Sequence, residues 1–529
     1  MELSKYVLVV LFLAITCLCQ FSWAGNLDYE EAVRGQCGYT RYPTLCGQTL
    51  SQLGSKDRNV DFLTLLVNET ISQVKMPELV SLATTSISAD SQLIQTAMDY
   101  CHELMEMSLK RLNQAMEAIK KSPKTEKSDI QTWLSAALTF QETCRDEIKD
   151  HATTDSYTAE IYNKIDHLSK LASNSLALAN RIAAQPAGRR LLLQAGDFPA
   201  WVSPANRKLL QSSAGAVRAD AVVAKDGSGN FKSVGEAINA ASGGRFVIYV
   251  KAGTYNEKIT ISKDGITLIG DGKYATIISA GSSVAKGSSL KGSATFTVRG
   301  DGFIARDIGF ENTAGAEGHQ AVALNIASDR SVLYRCSVAG YQDTLYAHSL
   351  RQFYRECDVH GTIDYIFGNA AAVLQSCNLV FRSPRSGASF STILANGRTD
   401  PGQNTGFSVQ NSRITVGSDF SSSGKKSFAL YLGRPWKAYS RAVVMQSNIA
   451  GQVSPRGWVE WEGSSGSTYK TLYFAEYGNM GAGAATSGRV GWPGFHVMAT
   501  PEASKFTVAS FIGGTSWLPS AGVPFDAGL

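Results

Sequence analysis

Beyond its first 24 residues, this chain of 529 residues lacks any apolar run long enough to cross a bilayer, since a spanning helix needs about 20 apolar residues. The start of the chain is different. Lys5 precedes an apolar run from Tyr6 to Cys19, and Ser22-Trp23-Ala24 follows it. A charged start, an apolar middle and a small-x-small ending are typical of a secretory signal peptide, and the run is short for a membrane anchor. The sequence therefore predicts a signal peptide over 1–24 and a secreted protein with no membrane span after its removal.

Glycine is sparse between residues 25 and 186, where Leu, Ala and Ser are abundant. Apolar residues recur at helical spacing over 60–71 and 104–116. Ser128-Asp129 stand before the apolar start at Ile130, as at a helix N-terminus. Long amphipathic helices with short connections indicate an all-α four-helix bundle over 25–186. No convergent catalytic set occurs here, so the bundle is either structural or a partner-binding or masking module.

Long alternating helices are missing from residues 220–529, which makes a doubly wound α/β sheet a poor fit. Short β-type runs such as Phe246–Val250 and Ile266–Gly270 end instead at Gly or Asp turns. One pattern also recurs around Cys336, Cys357 and Cys377, which lie 21 and 20 residues apart. A period near 20 with short β segments is typical of a solenoid. The sequence predicts a second, all-β domain, a right-handed parallel β-helix over 220–529.

Two aspartates share one position in this repeat. Asp343 lies seven residues after Cys336, and Asp364 lies seven residues after Cys357. If each repeat is one coil, equivalent side chains stack about 4.8 Å apart, and repulsion should raise the pKa of one carboxyl. We therefore predict an acid and a base side by side in an active site. The structural alternative is that each Asp only caps its turn.

Seven cysteines remain after Cys17 and Cys19 leave with the signal peptide, so at least one is not in a disulfide. Secretion permits disulfides. Two pairs are expected in the helical region, one closing a small loop and one joining two helices: Cys37–Cys46 and Cys101–Cys144. The only N-glycosylation sequon begins at Asn68.

The segment 187–219 lacks strong periodicity and is rich in Gly, Ala, Pro and Ser. It carries two dibasic motifs, Arg189-Arg190-Leu191-Leu192 and Arg207-Lys208-Leu209-Leu210. Exposed dibasic sites in a loose linker invite proteolysis, so we expect a processing protease to cut here. The alternative is a plain basic linker.

Several function classes are disfavoured by what the β region lacks. It has no Gly-x-Ser-x-Gly, which disfavours a serine esterase. It has no dense acidic cluster near the aspartates, which disfavours a calcium-dependent lyase, and we expect no metal or cofactor. Its excess of Lys and Arg suits an acidic polymer, while secretion and the lack of a basic-aromatic cluster argue against nucleic acid. A retaining glycoside hydrolase, which also uses two carboxylates about 5 Å apart, and a non-catalytic carbohydrate-binding or inhibitor protein remain alternatives.

Four clusters carry a family resemblance: Gly318-His319-Gln320, Gly340 to Tyr346, Gly361 to Ala370, and Leu432 to Trp436. With them, the chain resembles plant pectin methylesterases made with an N-terminal inhibitor-like pro-region. The resemblance implies hydrolysis of galacturonate C6 methyl esters in pectin, release of methanol and a place in the cell wall. It also implies that the helical region inhibits or chaperones the enzyme before cleavage.

The resemblance further implies residue roles. Asp364 would be the nucleophile that forms an acyl-enzyme, and Asp343 would act first as acid and then as base. Gln342, aided by Gln320, would donate to the oxyanion, and Arg434 would hold Asp364 ionised, oriented and facing substrate. The resemblance also gives a set of aromatic side chains that line the sugar subsites: Trp436, Tyr346, Phe367 and Trp458.

Two further points concern how this chain fits the family. The resemblance favours a Cys357–Cys377 disulfide, with Cys336 left as a buried thiol. Family members often carry a substrate-contacting Thr some 30 residues before the first Gln, where this chain has Leu290. That role is therefore not assigned here.

Overall fold

The computed structural model describes residues 29–54, 61–75, 89–149, 156–183, 218–420, 428–464 and 466–529. The signal peptide expected over 1–24 and both dibasic motifs lie outside these ranges. The chain divides into two compact units after Pro186.

In its described residues the first unit is helical, with a helical segment over 29–37 followed by five helices. These are α1 (Pro43–Gly54), α2 (Phe62–Val74), α3 (Ala89–Lys121), α4 (Lys127–Ile148) and α5 (Ser156–Asn180). Helices α2 to α5 each pack against two others of that group, so they form a four-helix bundle, as predicted.

Capping and apolar packing stabilise this bundle. Asp61 precedes α2, and its carboxylate accepts a hydrogen bond from the backbone N–H of Thr64 at 3.0 Å. The helix faces that meet inside are fully buried at Leu66, Leu134 and Phe140. Both disulfides expected in this unit are present: Cys37–Cys46 closes a nine-residue separation, and Cys101–Cys144 joins α3 to α4.

The sequon residue Asn68 is exposed on α2, while Thr70 of the same sequon is buried and donates its hydroxyl to the Leu66 carbonyl at 2.8 Å. Glycosylation of Asn68 stays a prediction. None of the helices in the described ranges combines the length and apolar character that crossing a bilayer requires.

The second unit contains three parallel sheets in its described residues. Sheet 1 comprises β1 (Ala221–Val223), β2 (Phe246–Val250), β5 (Ile266–Gly270), β8 (Ile304–Arg306), β11 (Ser331–Tyr334), β14 (Arg351–Arg355), β17 (Ala371–Gln375), β20 (Gly406–Gln410), β23 (Arg441–Met445), β25 (Tyr473–Tyr477) and β26 (Phe495–Val497). Sheet 2 comprises β3 (Gly253–Asn256), β6 (Thr276–Ala280), β9 (Gly309–Asn312), β12 (Ser337–Ala339), β15 (Asp358–Gly361), β18 (Asn378–Phe381), β21 (Arg413–Val416) and β24 (Asn448–Ile449). Sheet 3 comprises β4 (Ile259–Ile261), β7 (Phe296–Val298), β10 (Leu324–Ala327), β13 (Leu345–Ser349), β16 (Ile366–Gly368), β19 (Phe390–Asn396) and β22 (Ala429–Pro435).

From β2 to β22 the chain visits the three sheets in turn, and each coil pairs in register with the next. This is the right-handed parallel β-helix that the sequence predicts. Inward positions form one continuous apolar core, which includes Phe296, Leu333 and Leu374. In the six coils from β8 to β23, the turn from sheet 1 to sheet 2 uses one left-handed residue, for example Arg335 (φ 52°) and Glu356 (φ 55°).

Short helices close the β-helix. Helix α6 (Val234–Ala240) packs against β1 and β2 and begins with a capping box between Ser233 and Glu236. Helices α7 (Thr468–Thr471), α8 (Thr500–Ala503), α9 (Val508–Phe511) and α10 (Leu518–Ala521) follow. The segment from α9 onward covers the outer face of sheet 1, where Trp517 and Leu518 join a buried cluster with Phe353 and Val373.

The prediction of a Cys357–Cys377 disulfide is wrong in this structure: Cys336, Cys357 and Cys377 are all free, buried thiols. Strand register places them on three consecutive coils with parallel side chains. Equivalent Cβ atoms of neighbouring parallel strands lie about 4.8 Å apart, beyond the 3.5–4.5 Å separation typical of a disulfide. The stack therefore fills the core as thiols, with each Sγ near a backbone carbonyl.

Candidate active site

One outward-facing row of sheet 3 carries three of the predicted site residues, Tyr346, Phe367 and Arg434. Strand pairing places six residues in register across neighbouring coils: Thr297, Asn325, Tyr346, Phe367, Ala395 and Arg434. The row runs along the β-helix axis, as a site for an extended polymer requires. Because neighbouring strands are about 4.8 Å apart, groups that are distant in sequence meet here.

Asp343 and Asp364 lie at the turns that lead into this row. The pairing of Leu345 with Ile366 puts the two aspartates at equivalent positions on consecutive coils. Both have left-handed backbones, with φ of 60° and 50°, a region that Asp and Asn tolerate better than most residues. Their exposures are 8% and 4%, and the Asp343 N–H donates to the Ile363 carbonyl at 3.0 Å.

The Asp364 carboxylate is held on both oxygens. Arg434 Nε donates to Oδ1 at 2.9 Å and to Oδ2 at 3.1 Å, and Nη2 donates to Oδ2 at 2.5 Å. The Thr392 hydroxyl donates to Oδ1 at 2.7 Å and accepts the Asp364 backbone N–H at 2.8 Å. Charge-assisted, two-point contacts of this kind fix both charge and orientation.

Asp343 has the opposite electrostatic environment. Burial raises the pKa of Asp343 well above its usual range, and the neighbouring charge of Asp364 raises it further, while Arg434 opposes both effects. Its surroundings therefore favour the protonated form of Asp343 beside an ion-paired carboxylate. Two carboxyl groups with environments this different can divide the roles of acid and nucleophile or base.

The two glutamines lie side by side on neighbouring coils: Gln342 immediately precedes Asp343, and Gln320 is one coil earlier. Gln320 and Gln342 form a parallel β-bridge, and the Ala321 N–H donates to the Gln342 carbonyl at 3.2 Å. Both residues are half-buried. The Gln320 carbonyl in turn accepts the Val284 N–H at 3.0 Å, which ties the segment after β6 to this turn. The backbone pairing therefore places both glutamines on neighbouring coils next to Asp343.

An aromatic surface extends from the aspartates along the row. The rings of Tyr346 and Phe367 stack with centroids 4.3 Å apart, and the Trp436 ring meets Phe367 edge-on at 6.1 Å. Trp436 is half-buried and lies against Gly397, where a Cβ would be 2.8 Å from the indole. These three predicted residues form one apolar cluster at the cleft.

The predicted groove position of Trp458 is wrong. Trp458 is fully buried, packs on Phe474 at 4.5 Å and donates its indole N–H to Glu476 at 3.3 Å. It pairs with Gly433, whose partner Leu394 is also a core residue, so this register position faces inward. Substrate in the cleft does not reach it.

Trp461 occupies the place in the cleft expected of that aromatic residue. Its ring lies 4.1 Å from the Arg434 guanidinium carbon and 6.4 Å from the Trp436 ring. Leu290, Trp436 and Trp461 pack against the Tyr346 and Phe367 cluster.

Sequence reasoning missed Thr392 and Trp461. Thr392 lies in β19 without a distinctive motif, and only the pairing of three coils shows its contact with Asp364. Trp461 lies three residues after Trp458, so strand alternation beyond β22 is what distinguishes the inward ring from the cleft ring. Side chains in a strand alternate between the two faces, so a residue three positions after the inward-facing Trp458 is expected to face outward.

The fold and this carboxylate pair fit a carboxylic ester hydrolase on a parallel β-helix, and the comparisons with known proteins identify that class. The pectinesterase family model matches residues 220–515, and the plant invertase/pectin methylesterase inhibitor model matches residues 31–178. Pectinesterase 2 of Citrus sinensis is 44% identical over 506 residues, with 94% of this chain and 95% of that protein covered.

Two further matches are a relative of nearly full length and a solved structure that covers part of this chain. The probable pectinesterase/pectinesterase inhibitor 17 of Arabidopsis thaliana is 44% identical over 97% of this chain and 98% of its own length. The solved pectin methylesterase from carrot is 52% identical, with a TM-score of 0.57, over 59% of this chain and 98% of that chain. This chain belongs to the pectinesterase family, with an inhibitor-like helical unit ahead of the esterase unit.

Proposed function

We propose that this protein hydrolyses C6 methyl esters of galacturonate in pectin through two aspartates. In the first step an Asp364 oxygen attacks the ester carbonyl carbon, and the negative charge moves to the carbonyl oxygen. Gln342 and Gln320 donate amide N–H bonds to that oxyanion. The bond from C6 to the methoxy oxygen then breaks. Asp343 gives its proton to that oxygen, which leaves as methanol. The product is an acyl-enzyme anhydride at Asp364.

The second step reverses the role of Asp343. Its carboxylate takes a proton from water, and the resulting hydroxide equivalent attacks C6 of the anhydride. The bond to the Asp364 oxygen breaks, which frees the new C6 carboxyl group and leaves Asp364 ionised beside Arg434 and Asp343 protonated. The freed carboxyl group then loses its proton to solvent and becomes galacturonate. Each cycle consumes one water and releases one methanol.

The contrast between the two carboxyl groups is the single observation that carries this mechanism. Burial and the charge of Asp364 raise the pKa of Asp343, while Arg434 and Thr392 donate hydrogen bonds to the Asp364 carboxylate. An ester carbonyl needs a charged nucleophile and a protonated neighbour at the same time. The aromatic surface offers sugar rings an apolar face on one side of the two aspartates. It is formed by Tyr346, Phe367, Trp436 and Trp461.

Methanol release from methyl-esterified pectin by Asp343→Asn, Asp364→Asn and Asp526→Asn variants tests the assignment. Asp526 is an exposed carboxylate paired with Arg355 of sheet 1 and serves as the control. We expect the two cleft variants to lose at least about 10³-fold in kcat, since an essential acid or nucleophile is removed, and the control to match the native protein. Retained turnover in both cleft variants would remove the mechanism.

Polymer length separates this function from glycoside hydrolysis. Retaining glycosidases also use two close carboxylates, but they create new reducing ends. We expect methanol to accumulate with no increase in reducing ends. New reducing ends in step with methanol loss would favour the glycosidase instead.

The helical unit is proposed to mask or chaperone the esterase unit until the linker is cut at a dibasic motif, after secretion to the cell wall. The match to an inhibitor family model supports this proposal. The test compares methanol release by a chain of residues 218–529 with and without added helical unit, and by the full chain before and after linker cleavage. Equal activity in all four would refute masking.

A further inference from the structure

Behind the cleft lies a fully buried charged pair that the mechanism does not use. Glu476 in β25 and Arg489 have side chains that are each 1% exposed. Arg489 Nε donates to Glu476 Oε1 at 2.7 Å, and Nη2 donates to Oε2 at 3.1 Å. Burying two charges costs free energy that well-packed apolar residues would avoid. The pair therefore calls for an explanation in terms of what it holds in place.

The segment 454–461 is what this pair holds. Glu476 Oε1 also accepts the indole N–H of Trp458 at 3.3 Å, and Arg489 Nη1 donates to the Pro455 carbonyl at 3.0 Å. The Arg489 side chain lies against Gly457, where φ is 68° and an added Cβ would be 2.4 Å from Arg489 Cδ. The segment is thus fixed through backbone and side chain, from inside the molecule.

The same segment forms the edge next to the strand of Arg434. The Leu432 N–H donates to the Gly457 carbonyl at 2.7 Å, and the Val459 N–H donates to the Gly433 carbonyl at 3.1 Å. At its end, the Trp461 ring lies 4.1 Å from the Arg434 guanidinium carbon. Arg434 therefore lies between Asp364 and the Trp461 ring. Trp461 ends the segment that the buried pair contacts at Pro455 and Trp458.

We infer that Glu476 and Arg489 are positioning residues of the esterase site, acting through Trp458 and the segment 454–461 on Arg434 and Trp461. Neither touches substrate. A rigid, bidentate pair fits this task better than apolar packing, because its two directed bonds fix an orientation as well as a distance. This inference rests on the proposed roles of Asp364 and Arg434.

Arg489→Lys tests the inference, because lysine keeps the charge but loses the two-point contact. The matched control is Arg351→Lys. Arg351 forms an equally buried two-point pair with Asp329, through Nε at 2.9 Å and Nη2 at 2.6 Å, on sheet 1 rather than beside the cleft. Both variants are made in the full chain and in residues 218–529, and both are assayed below their unfolding temperatures. We expect kcat to fall about 10- to 100-fold for Arg489→Lys and less than twofold for Arg351→Lys.

The pH profile gives a second, independent readout. Arg434 lowers the pKa of Asp343 against the effects of burial and Asp364. If Arg434 moves away from Asp343 and Asp364, the pKa of Asp343 rises. The alkaline limb of kcat should therefore move to higher pH in Arg489→Lys and stay in place in Arg351→Lys. A purely structural role would change stability alone.

Each outcome decides the inference. Equal kcat and an unchanged alkaline limb of the pH profile in both variants would overturn the inference. Methanol release by the native protein would still support the proposed function in that case. If native protein releases no methanol, the proposed function fails instead. If Arg489→Lys does not fold, Trp458→Phe replaces it: phenylalanine can still pack against Phe474 but removes the donor to Glu476. The same kcat loss and limb shift are then expected, and native values would overturn the inference.

Discussion

At the residue scale, the site depends on two aspartates whose surroundings differ more than their positions do. Asp343 and Asp364 occupy the same turn on successive coils and share a left-handed backbone. Arg434 and Thr392 both donate hydrogen bonds to Asp364, because β19 and β22 follow the coil of Asp364 along the sheet. The difference in chemistry therefore arises from the order of the coils.

Thr392→Val should lower kcat about 10- to 100-fold, because a hydrogen bond to a charged group contributes about 1.5–3 kcal/mol. The nearly isosteric valine removes the hydroxyl that donates to Asp364 Oδ1 and accepts its N–H. Thr392→Ser keeps the hydroxyl and should recover most of the activity. Thr415→Val, on sheet 2, is the control and should be silent in methanol-release kinetics. Equal rates for Val and Ser at 392 would contradict the prediction.

Asp343→Asn should make the esterase unit more stable at pH 8, by about 0.5–2 kcal/mol. The pKa of Asp343 is raised in the folded state, so folding retains a proton that the unfolded chain loses above about pH 3.9. The contribution of Asp343 to the free energy of unfolding therefore falls as pH rises from about 3.9 towards the raised pKa of the folded state. Asparagine does not titrate, so the variant avoids this loss. Thermal unfolding at pH 4 and pH 8 checks this.

The matched variant for that measurement is Asp364→Asn, which leaves Arg434 without its carboxylate partner. It should be less stable than the native unit at pH 8. A gain in both variants, or in neither, would show that the two carboxyl groups do not have opposite electrostatic roles.

At the scale of elements, strand register creates the cleft and a terminal segment covers the opposite side. The outward row of sheet 3 contributes Tyr346, Phe367 and Arg434 to the site. The outward face of sheet 1 is instead covered by the segment from α9 to the end of the chain. Gln375 and Gln410 tie that segment down by donating to the carbonyls of Asp526 and Gly528, at 2.9 and 2.8 Å.

Trp517→Ala should destabilise the esterase unit by about 3–5 kcal/mol, since it removes a large side chain from a well-packed cluster. Trp517 is 5% exposed and donates its indole N–H to the Ile512 carbonyl at 2.9 Å. Tyr274→Ala, at a 62% exposed ring, is the comparison and should cost far less. Urea unfolding of both variants gives the two values, and equal midpoints would mean that the segment contributes little.

At the scale of the whole molecule, the two units differ in how covalent bonds stabilise them. Both disulfides in the described residues lie in the helical unit, while the described part of the esterase unit has three free thiols. Burial raises the pKa of the Cys336 and Cys377 thiols, which makes them poor nucleophiles in the native state.

Reductant should therefore lower the unfolding temperature of the helical unit alone, because each disulfide typically contributes about 2–4 kcal/mol. Calorimetry of the full chain with and without dithiothreitol measures this, with residues 218–529 as the control whose transition should not move. Alkylation after denaturation without reductant should label three thiols in that control. One labelled thiol and a reductant-sensitive transition would restore the Cys357–Cys377 bond.

The sequence by itself determined the two-unit organisation, the bundle, the β-helix and the pair of aspartates. Each follows from a local period: 3.6 residues for the helices, about 20 for the coils, and a fixed offset from cysteine to aspartate. The tertiary structure alone decided that Thr392 joins Arg434 in holding Asp364, that Trp461 rather than Trp458 faces the cleft, and that the stacked cysteines stay reduced. The physical reason is that these outcomes depend on side-chain direction and atomic distance between coils, which sequence spacing does not specify.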